Sequence, residues 1–155
     1  MAAGVHVERL TVDAPLARRA AAIEAAEWDD DNDIDSPYTA ESLAAYLASP
    51  DNVFLLARDG DVVLGMASGT LLRKPYGDER WCYVDEVDVA VPHRRRGVGR
   101  ALMEAFLQLA REAGCEVLWL GTEPDNEPAL ALYRSLAGDE ETFVGFEFAP
   151  TPRRS

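Results

Sequence analysis

The chain has 155 residues, of which 48% are hydrophobic and 28% are charged, the balance of a folded globular protein. Acidic residues outnumber basic ones by 28 to 15, and the net charge of −13 argues against a nucleic-acid or anionic-membrane partner, because phosphate binding needs a basic face. The excess of carboxylates favours a cationic substrate instead. Since the sequence has no apolar stretch near the ~20 residues of a membrane span and no signal-peptide pattern, we expect one cytoplasmic domain over residues 1–155, with a frayed tail at 150–155.

The first half of the chain carries short strand and helix patterns. Its predicted elements, in chain order, are a strand at Val5–Val12, a helix at Pro15–Trp28 capped by Asp13, a helix at Thr39–Ala48 capped by Thr39, and apolar strands at Asn52–Arg58 and Val62–Leu72. The Asp59-Gly60-Asp61 sequence between the two apolar strands is typical of a hairpin turn. The segment between the helices, Glu27–Asp35, is too acidic for a core element and is predicted to be an exposed loop.

The second half contains the clearest helical period. Apolar residues recur every three or four positions from Val98 to Ala113, and Gly114 follows at the position where helices commonly end. The other predicted elements are a strand at Trp81–Val91 ended by Pro92, a strand at Glu116–Gly121, a helix from Ala129 to Leu136 closed by Gly138, and an aromatic strand at Thr142–Phe148. This order predicts an α/β fold with a mixed sheet flanked by helices.

Two glycines and four arginines surround the start of the long helix. Gly97 and Gly99 allow close approach to the backbone N–H groups at that end, and the surrounding bases are Arg94, Arg95, Arg96 and Arg100. Unpaired N–H groups, the helix dipole and guanidinium groups together favour a phosphate-bearing ligand. A solvated basic turn is the alternative. The two cysteines lack CxxC spacing, so no metal site is expected.

Two motifs resemble those of a known enzyme family. The sequence Arg94-x-x-Gly97-x-Gly99 resembles motif A of the GNAT N-acetyltransferases, and Asn126-x-x-Ala129-x-x-Leu132-Tyr133 resembles their motif B, in the same order along the chain. Further segments are similar to the aminoglycoside 3-N-acetyltransferase branch of that family: Ala90–Arg95, Glu127–Tyr133, the Lys74-Pro75-Tyr76 turn, and Glu140–Phe148. In this chain Ala137-Gly138 stands where the family commonly has Gly-Phe after motif B.

The resemblance implies a GNAT fold and acetyl-CoA as cosubstrate. It implies a mixed, mostly antiparallel sheet of six to seven strands with about four helices. The sheet opens into a V between Trp81–Val91 and Glu116–Gly121, where acetyl-CoA lies. Main-chain groups of Val89 and Val91 would pair with the pantetheine arm, and Asn126 would reach the pantetheine or a catalytic water. The full set of cofactor residues implied in this way is Val89, Ala90, Val91, Arg94, Arg95, Arg96, Gly97, Val98, Gly99, Arg100 and Asn126.

Three carboxylates lie among the valines of the central predicted strand. Asp85, Glu86 or Asp88 could deprotonate a substrate ammonium as a general base, and a solvent-facing position is the alternative for at least one of them. Strict alternation predicts one face with Val84, Glu86, Asp88 and Ala90, and the other with Tyr83, Asp85, Val87 and Val89. The candidates are ordered Asp88, then Asp85, then Glu86. The resemblance also implies that Tyr133 protonates the CoA thiolate, with core packing as the alternative.

Acidic residues are the candidates for holding a cationic acceptor: Asp31, Asp33, Asp35, Glu123, Asp125 and Glu141. A solvated face is the alternative for each of them. The resemblance implies 3-N-acetylation of an aminoglycoside. A polyamine, an amino acid or a protein N-terminus is the alternative acceptor, and an acyl-CoA-binding sensor is the non-enzymatic alternative. Pairing of two copies through Phe143–Phe148 would give a homodimer, for which core packing is the alternative.

Overall fold

The computed structural model describes residues 4–29 and 36–151, which divide into two compact units. The first unit contains the described residues up to Gly121 and the second those from Thr122 onward. The elements of the first unit are β1 (His6–Arg9), α1 (Leu16–Ala25), α2 (Ala40–Leu47), β2 (Asn52–Asp59), β3 (Val62–Arg73), β4 (Arg80–Val89), a 3-10 turn (Val91–His93), α3 (Val98–Glu112) and β5 (Val117–Trp119). The second unit contains α4 (Glu127–Ser135).

A five-stranded sheet in the order β1-β2-β3-β4-β5 forms the first unit. The first three neighbouring pairs are antiparallel, and β4 and β5 are parallel. Helix α3 supplies the crossover that a parallel pair requires. The mixed, mostly antiparallel α/β fold is therefore confirmed, but the sheet has five strands in the described residues rather than six to seven.

Both faces of the sheet are covered by helices. On one face, Leu55 of β2 belongs to a buried cluster with Leu102 and Phe106 of α3. On the other, Phe54 of β2 is buried with side chains of α1 and α2, including Ile23 and Leu43. Burial on both faces explains why β2 is a continuous apolar run rather than an alternating one.

The ends of the helices in the first unit follow the sequence signals in two cases out of three. Thr39 caps α2 as predicted, and its side chain accepts from the N–H of Ser42 at 3.0 Å in a reciprocal capping box. Gly114 ends α3 with a left-handed φ of 74°. The prediction that Asp13 caps α1 is wrong, because Pro15 occupies the cap position and no side chain caps that helix.

The second unit departs from the sequence prediction in two places. Helix α4 ends with Ala137, not Gly138, in the left-handed conformation at a φ of 62°. The N–H groups of Ala137 and Gly138 bond back to the carbonyls of Arg134 and Tyr133, at 3.0 and 3.2 Å. The predicted strand at Thr142–Phe148 is wrong: those residues form no strand, since alternating aromatic side chains do not supply the hydrogen-bonded partner that a strand needs.

Candidate active site

A β-bulge in the middle of β4 decides where its carboxylates lie. Ser68 of β3 pairs with Glu86, and the next residue, Gly69, pairs with Val84, which leaves Asp85 as the extra residue of β4. The bulge reverses the alternation of side chains along the strand. Val84 belongs to the buried cluster on the α3 face, and the partly buried side chains of Val87 and Val89 pack against that cluster.

The prediction from strict alternation is therefore wrong for part of β4. Val84 does not share a face with Glu86 and Asp88, because the extra residue shifts the pleat by one position. The result is a β4 that buries valines on the α3 face both before and after the bulge.

Gly69 makes this arrangement possible. A Cβ atom at that position would lie 2.4 Å from the carbonyl oxygen of Tyr83 and 3.2 Å from the ring of Phe106. No side chain fits in that space, since the backbone of β4 and the α3 core approach from both sides. The bulge and its three neighbouring carboxylates are thus held by a close backbone contact.

The three carboxylates lie close to two tyrosines of the α1–α2 side. Burial and then the charges of Glu86 and Asp88 raise the pKa of Tyr38 to about 12. Burial and then the charge of Asp85 raise the pKa of Tyr46, whose hydroxyl lies 2.8 Å from the carbonyl oxygen of Gly69. Tyr38 and Tyr46 also pack against the ring of Phe54 on this side of the sheet.

Crowding of like charges distinguishes Glu86 from Asp85. Loss of hydration raises the pKa of Glu86, and the neighbouring charges of Asp88 and Asp85 raise it further. Loss of hydration alone raises the pKa of Asp85. Glu86 is nevertheless exposed, whereas Asp88 is half-buried and its Oδ2 atom is fully buried. Glu86 therefore combines access with a pKa shifted towards neutrality, the properties of a general base.

The loop that follows β4 presents backbone N–H groups at the start of α3. Arg95 and Gly97 both have left-handed backbone conformations, with φ values of 62° and 79°. No side chain caps α3 at Gly97, so the N–H groups of its first turn remain available to an anion. Val98 is buried and anchors the start of α3 in the core, whereas Gly97 is exposed to solvent.

The arginines of this loop also hold the loop together. Arg94 pairs with Asp29 at 2.8 Å and donates from Nε to the carbonyl of Val89 at 3.4 Å. Arg100 lies 3.4 Å from Glu104, one turn further along α3. Arg94, Arg95, Arg96 and Arg100 are all exposed. Their predicted contacts with a cofactor remain predictions, as do those of Gly99 and the other loop residues.

Strands β4 and β5 separate beside the carboxylates. Their pairing runs from Trp81 to Tyr83 of β4, and Tyr83 lies opposite Trp119, the last residue of β5. Beyond Tyr83, β4 has no strand partner on that side among the described residues. This is the V-shaped opening that was predicted between the two strands.

Some main-chain groups next to the opening are already bonded. The N–H of Ala90 donates to Leu64 at 2.9 Å, and the N–H of Val91 donates to Glu27 at 2.8 Å. A contact between Val91 and a pantetheine arm would therefore use its carbonyl group. The roles predicted for Val89, Ala90 and Val91 are otherwise untouched by these bonds.

A cavity of about 370 Å³ lies between α1, the β2–β3 hairpin and the turn after β4. Ala90 and His93 line it, together with Glu27 and Asp61, and none of the three β4 carboxylates does. In the described ranges, no cluster of His, Cys, Asp and Glu could hold a metal ion, and no helix is long and apolar enough to cross a membrane.

The other predicted site residues lie outside the described residues or in the second unit. Asp31, Asp33 and Asp35 lie outside the described residues. In the second unit, Tyr133 lies in α4, and Asn126 caps that helix, with Oδ1 accepting from the N–H of Ala129 at 3.3 Å. Glu123, Asp125 and Glu141 are exposed there. Their roles, and a homodimer through Phe143–Phe148, stay predictions.

Sequence reasoning missed Tyr38 and Tyr46. Tyr46 lies in the helix that was predicted at Thr39–Ala48 without a functional role, and Tyr38 lies just before that helix. Neither position carries a local signal for the site, because only the packing of α2 against the sheet brings it near β4.

Known proteins are similar to this chain in sequence and in fold. The chain is 36% identical over 129 residues to an uncharacterized protein of Mycobacterium leprae (83% of this chain, 31% of that protein) and 34% identical over 120 residues to the N-alpha-acetyltransferase RimI of Mycobacterium tuberculosis (77% of this chain, 68% of that protein). It thus spans about a third of the first relative and about two thirds of the second.

A solved aminoglycoside acetyltransferase from an uncultured soil metagenomic sample, in complex with trehalose, has the same fold. Its TM-score is 0.78 at 23% identity, and the match covers 96% of this chain and 97% of that one. Residues 20–138, which contain the bulged strand, the arginine-rich loop and α4, match the acetyltransferase (GNAT) family. The chain therefore belongs to the GNAT acetyltransferase family.

Proposed function

We propose that the protein is an acetyl-CoA-dependent N-acetyltransferase that acts on a primary amine of a cationic small molecule. The observation that carries this proposal is the position of the carboxylates. Asp85, Glu86 and Asp88 lie on the half of β4 that has lost its β5 partner, and that half leads directly into the anion-binding start of α3. A site for a donor phosphate and a site for an acceptor amine therefore adjoin along one strand.

The residues present fit the donor. The uncapped N–H groups of α3 and the exposed arginines around Gly97 suit a pyrophosphate, and the free edge of β4 suits an extended arm with amide groups. Acetyl-CoA, when bound, supplies an acetyl group activated as a thioester. What the chain adds at this end is orientation and neutralisation of phosphate charge.

The carboxylates act on the acceptor. An amine is an ammonium ion near neutral pH and must lose a proton before it can attack. Glu86 accepts that proton, directly or through one water, and its raised pKa brings it closer to that of the acceptor. The negative charges of Asp85 and Asp88 hold the ammonium before the transfer and raise the pKa of Glu86. Tyr133 remains the candidate for protonating the CoA thiolate.

An aminoglycoside is the preferred acceptor within this class. These molecules carry several ammonium groups, and the chain combines the carboxylate group on β4 with a net charge of −13. A protein N-terminus is the second candidate, because the relative RimI is named as an N-alpha-acetyltransferase and covers most of this chain. A protein N-terminus presents a single amine on an extended backbone and therefore offers fewer positive charges to the carboxylates than an aminoglycoside does.

Acceptor-dependent release of free thiol from acetyl-CoA tests the proposal. The panel contains gentamicin, spermidine, free amino acids, and peptides with different first residues. Turnover on gentamicin and not on peptides supports the proposed acceptor. Turnover on peptides alone replaces the acceptor with a protein N-terminus. Binding of acetyl-CoA without thiol release on any amine would favour the acyl-CoA-binding sensor and overturn the proposal.

A further inference from the structure

Three aromatic rings line the first half of β4 and its β5 partner. The rings of Trp81 and Tyr83 stack with centroids 5.9 Å apart and planes 24° from parallel. Trp119 of β5, directly opposite Tyr83, extends the row at 5.7 Å. All three residues are half-buried and belong to neither of the two buried clusters. We call Trp81, Tyr83 and Trp119 the aromatic row.

The aromatic row already holds an ammonium group. The Nζ atom of Lys74 lies 4.2 Å from the centroid of the Trp81 ring and 5.5 Å from that of Tyr83. It is also 3.5 Å from the Tyr83 hydroxyl. Lys74 is the only lysine among the 15 basic residues of the chain. A compact point charge, rather than a guanidinium, therefore occupies the face of the indole, the geometry of a cation–π contact.

The ring of Trp81 is fixed for this contact. Its Nε1 donates to a carboxylate oxygen of Glu79 at 2.8 Å, so the polar edge of the indole is satisfied and its face is presented. The backbone N–H of Lys74 donates to the carbonyl of Glu79 at 2.8 Å, which closes the turn that carries the lysine. Glu79 thus holds both the Trp81 ring and the turn that carries the Lys74 ammonium.

The row is continuous with the carboxylates. Cys82 and Val84 are buried on the α3 face, so Trp81 and Tyr83 point to the opposite face. The bulge returns Val87 and Val89 to the α3 face, which sets Glu86 and Asp88 on the side of the aromatic row. At a rise of about 3.3 Å per residue, Trp81 and Glu86 are separated by roughly 15 Å along the strand.

We propose that the aromatic row is a second ammonium subsite, which binds a remote cationic group of the acceptor while the β4 carboxylates bind the reacting amine. In the free protein the Lys74 ammonium occupies this subsite, and the acceptor displaces it. The acceptor class is thereby narrowed to an elongated amine with at least two positive charges. This inference rests on the proposed function for the identity of the reacting amine, but the subsite itself requires no turnover.

The test uses decamethonium, a bis-quaternary ammonium compound that cannot be acetylated, as a probe of the full-length protein by titration calorimetry. Lys74→Met should tighten its binding about two- to fivefold, because the probe no longer competes with an internal cation. Arg73→Met is the matched control, since it removes the neighbouring positive charge, which is exposed and lies 3.6 Å from Asp78. It should change the affinity less than Lys74→Met.

The contribution of the aromatic row is tested by Trp81→Leu, which should weaken probe binding about two- to fivefold. Tyr76→Leu removes an exposed aromatic ring of the same turn that is outside the row, and should leave the affinity unchanged. Equal effects of Lys74→Met and Arg73→Met would overturn the inference. Because Lys74→Met changes only a flexible side chain, that result stands even where Trp81→Leu fails to fold.

The subsite and the proposed function can fail separately. Turnover on cationic amines, with probe affinity unaltered by Lys74→Met beyond its control, removes the subsite and keeps the function. Tighter probe binding by Lys74→Met in a protein that acetylates no cationic amine keeps the subsite and removes the proposed acceptor. Where turnover is present, Trp81→Leu should also raise the KM of gentamicin and leave that of acetyl-CoA unchanged.

Discussion

The two halves of β4 differ in pairing, in charge and in the work they do. From Trp81 to Tyr83 the strand is bonded on both edges, and Cys82 is fully buried in the α3-side cluster. From Asp85 to Val89, β3 is its only strand neighbour among the described residues, and this half carries three carboxylates in five residues. The β5 pairing ends at Tyr83, and the extra residue Asp85 follows between the residues that pair with Gly69 and Ser68.

This difference separates stability from function along one strand. The paired half is held by buried apolar contacts, and replacing its inward side chains should cost folding free energy. The unpaired half concentrates like charges, and the pKa values of Asp85 and Glu86 are raised there, a combination that costs stability and suits proton transfer. Changes in the second half should therefore act on rate before they act on folding.

The largest effect is expected for Glu86→Gln. The amide keeps the size of the side chain and cannot accept a proton, so kcat should fall by about 10²–10⁴-fold with little change in the KM of acetyl-CoA. Steady-state thiol release measures both constants. Asp78→Asn, an exposed acid in the turn before β4, is the control and should retain full activity. If Asp88→Asn abolishes turnover and Glu86→Gln does not, the base is Asp88.

The next largest effect is expected at the boundary between the halves. Gly69→Ala should destabilise the protein by about 3 kcal/mol, because its Cβ would lie 2.4 Å from the carbonyl oxygen of Tyr83, which cannot move without breaking the pairing of β3 with β4. Urea unfolding measures the change. Ser68→Ala, the adjacent substitution on β3, should cost far less. Equal stabilities of the two variants would mean that the bulge adjusts freely to a side chain.

The helices could be predicted from the sequence, whereas the difference between the two halves of β4 could not. The stripe from Val98 to Ala113 and the Thr39 cap are local patterns with a period set by the helix, and both are confirmed. The bulge is not local. Nothing in the run from Tyr83 to Val89 distinguishes a strand of strict alternation from one with an extra residue, because the difference lies in the pairing with Gly69.

The same limit applies to the surroundings of the carboxylates. That Glu86 and Asp88 share a face was predictable from their spacing, whereas their proximity to Tyr38 depends on the packing of a segment almost fifty residues earlier. The wrong strand at Thr142–Phe148 has a related cause: alternation fits a strand, but a strand also needs a neighbour that the sequence alone does not name.

A smaller effect concerns pH and stability. The pKa of Glu86 is raised in the folded protein, so its contribution to stability is fully present below its unfolded pKa and is lost as the pH rises through its folded pKa. Glu86→Gln removes that loss. The variant should therefore have a higher Tm than the original protein at pH 7, with the difference shrinking towards pH 4. Calorimetry at both pH values measures the difference in Tm. A lower Tm of the variant at pH 7 would contradict a raised pKa of Glu86 in the folded protein.

The smallest effect is expected in the loop that continues the unpaired half. Arg95 has a φ of 62°, a conformation that costs a non-glycine residue about 1 kcal/mol, and Arg95→Gly should recover up to that amount. Arg96→Gly removes the same charge at a residue that does not have positive φ, so it should destabilise instead. Both should raise the KM of acetyl-CoA a few-fold through loss of one positive charge.

The pair separates two explanations for the strained arginine. If only the charge matters, the two variants raise the KM of acetyl-CoA equally and differ only in Tm. If the left-handed backbone at Arg95 is what aims the N–H groups before Gly97, Arg95→Gly loosens that aim as well, and its KM rises more than that of Arg96→Gly despite the gain in stability. The second outcome would mean that the loop resembles the unpaired half of β4, because in both the groups that serve function are held at a cost in folding free energy.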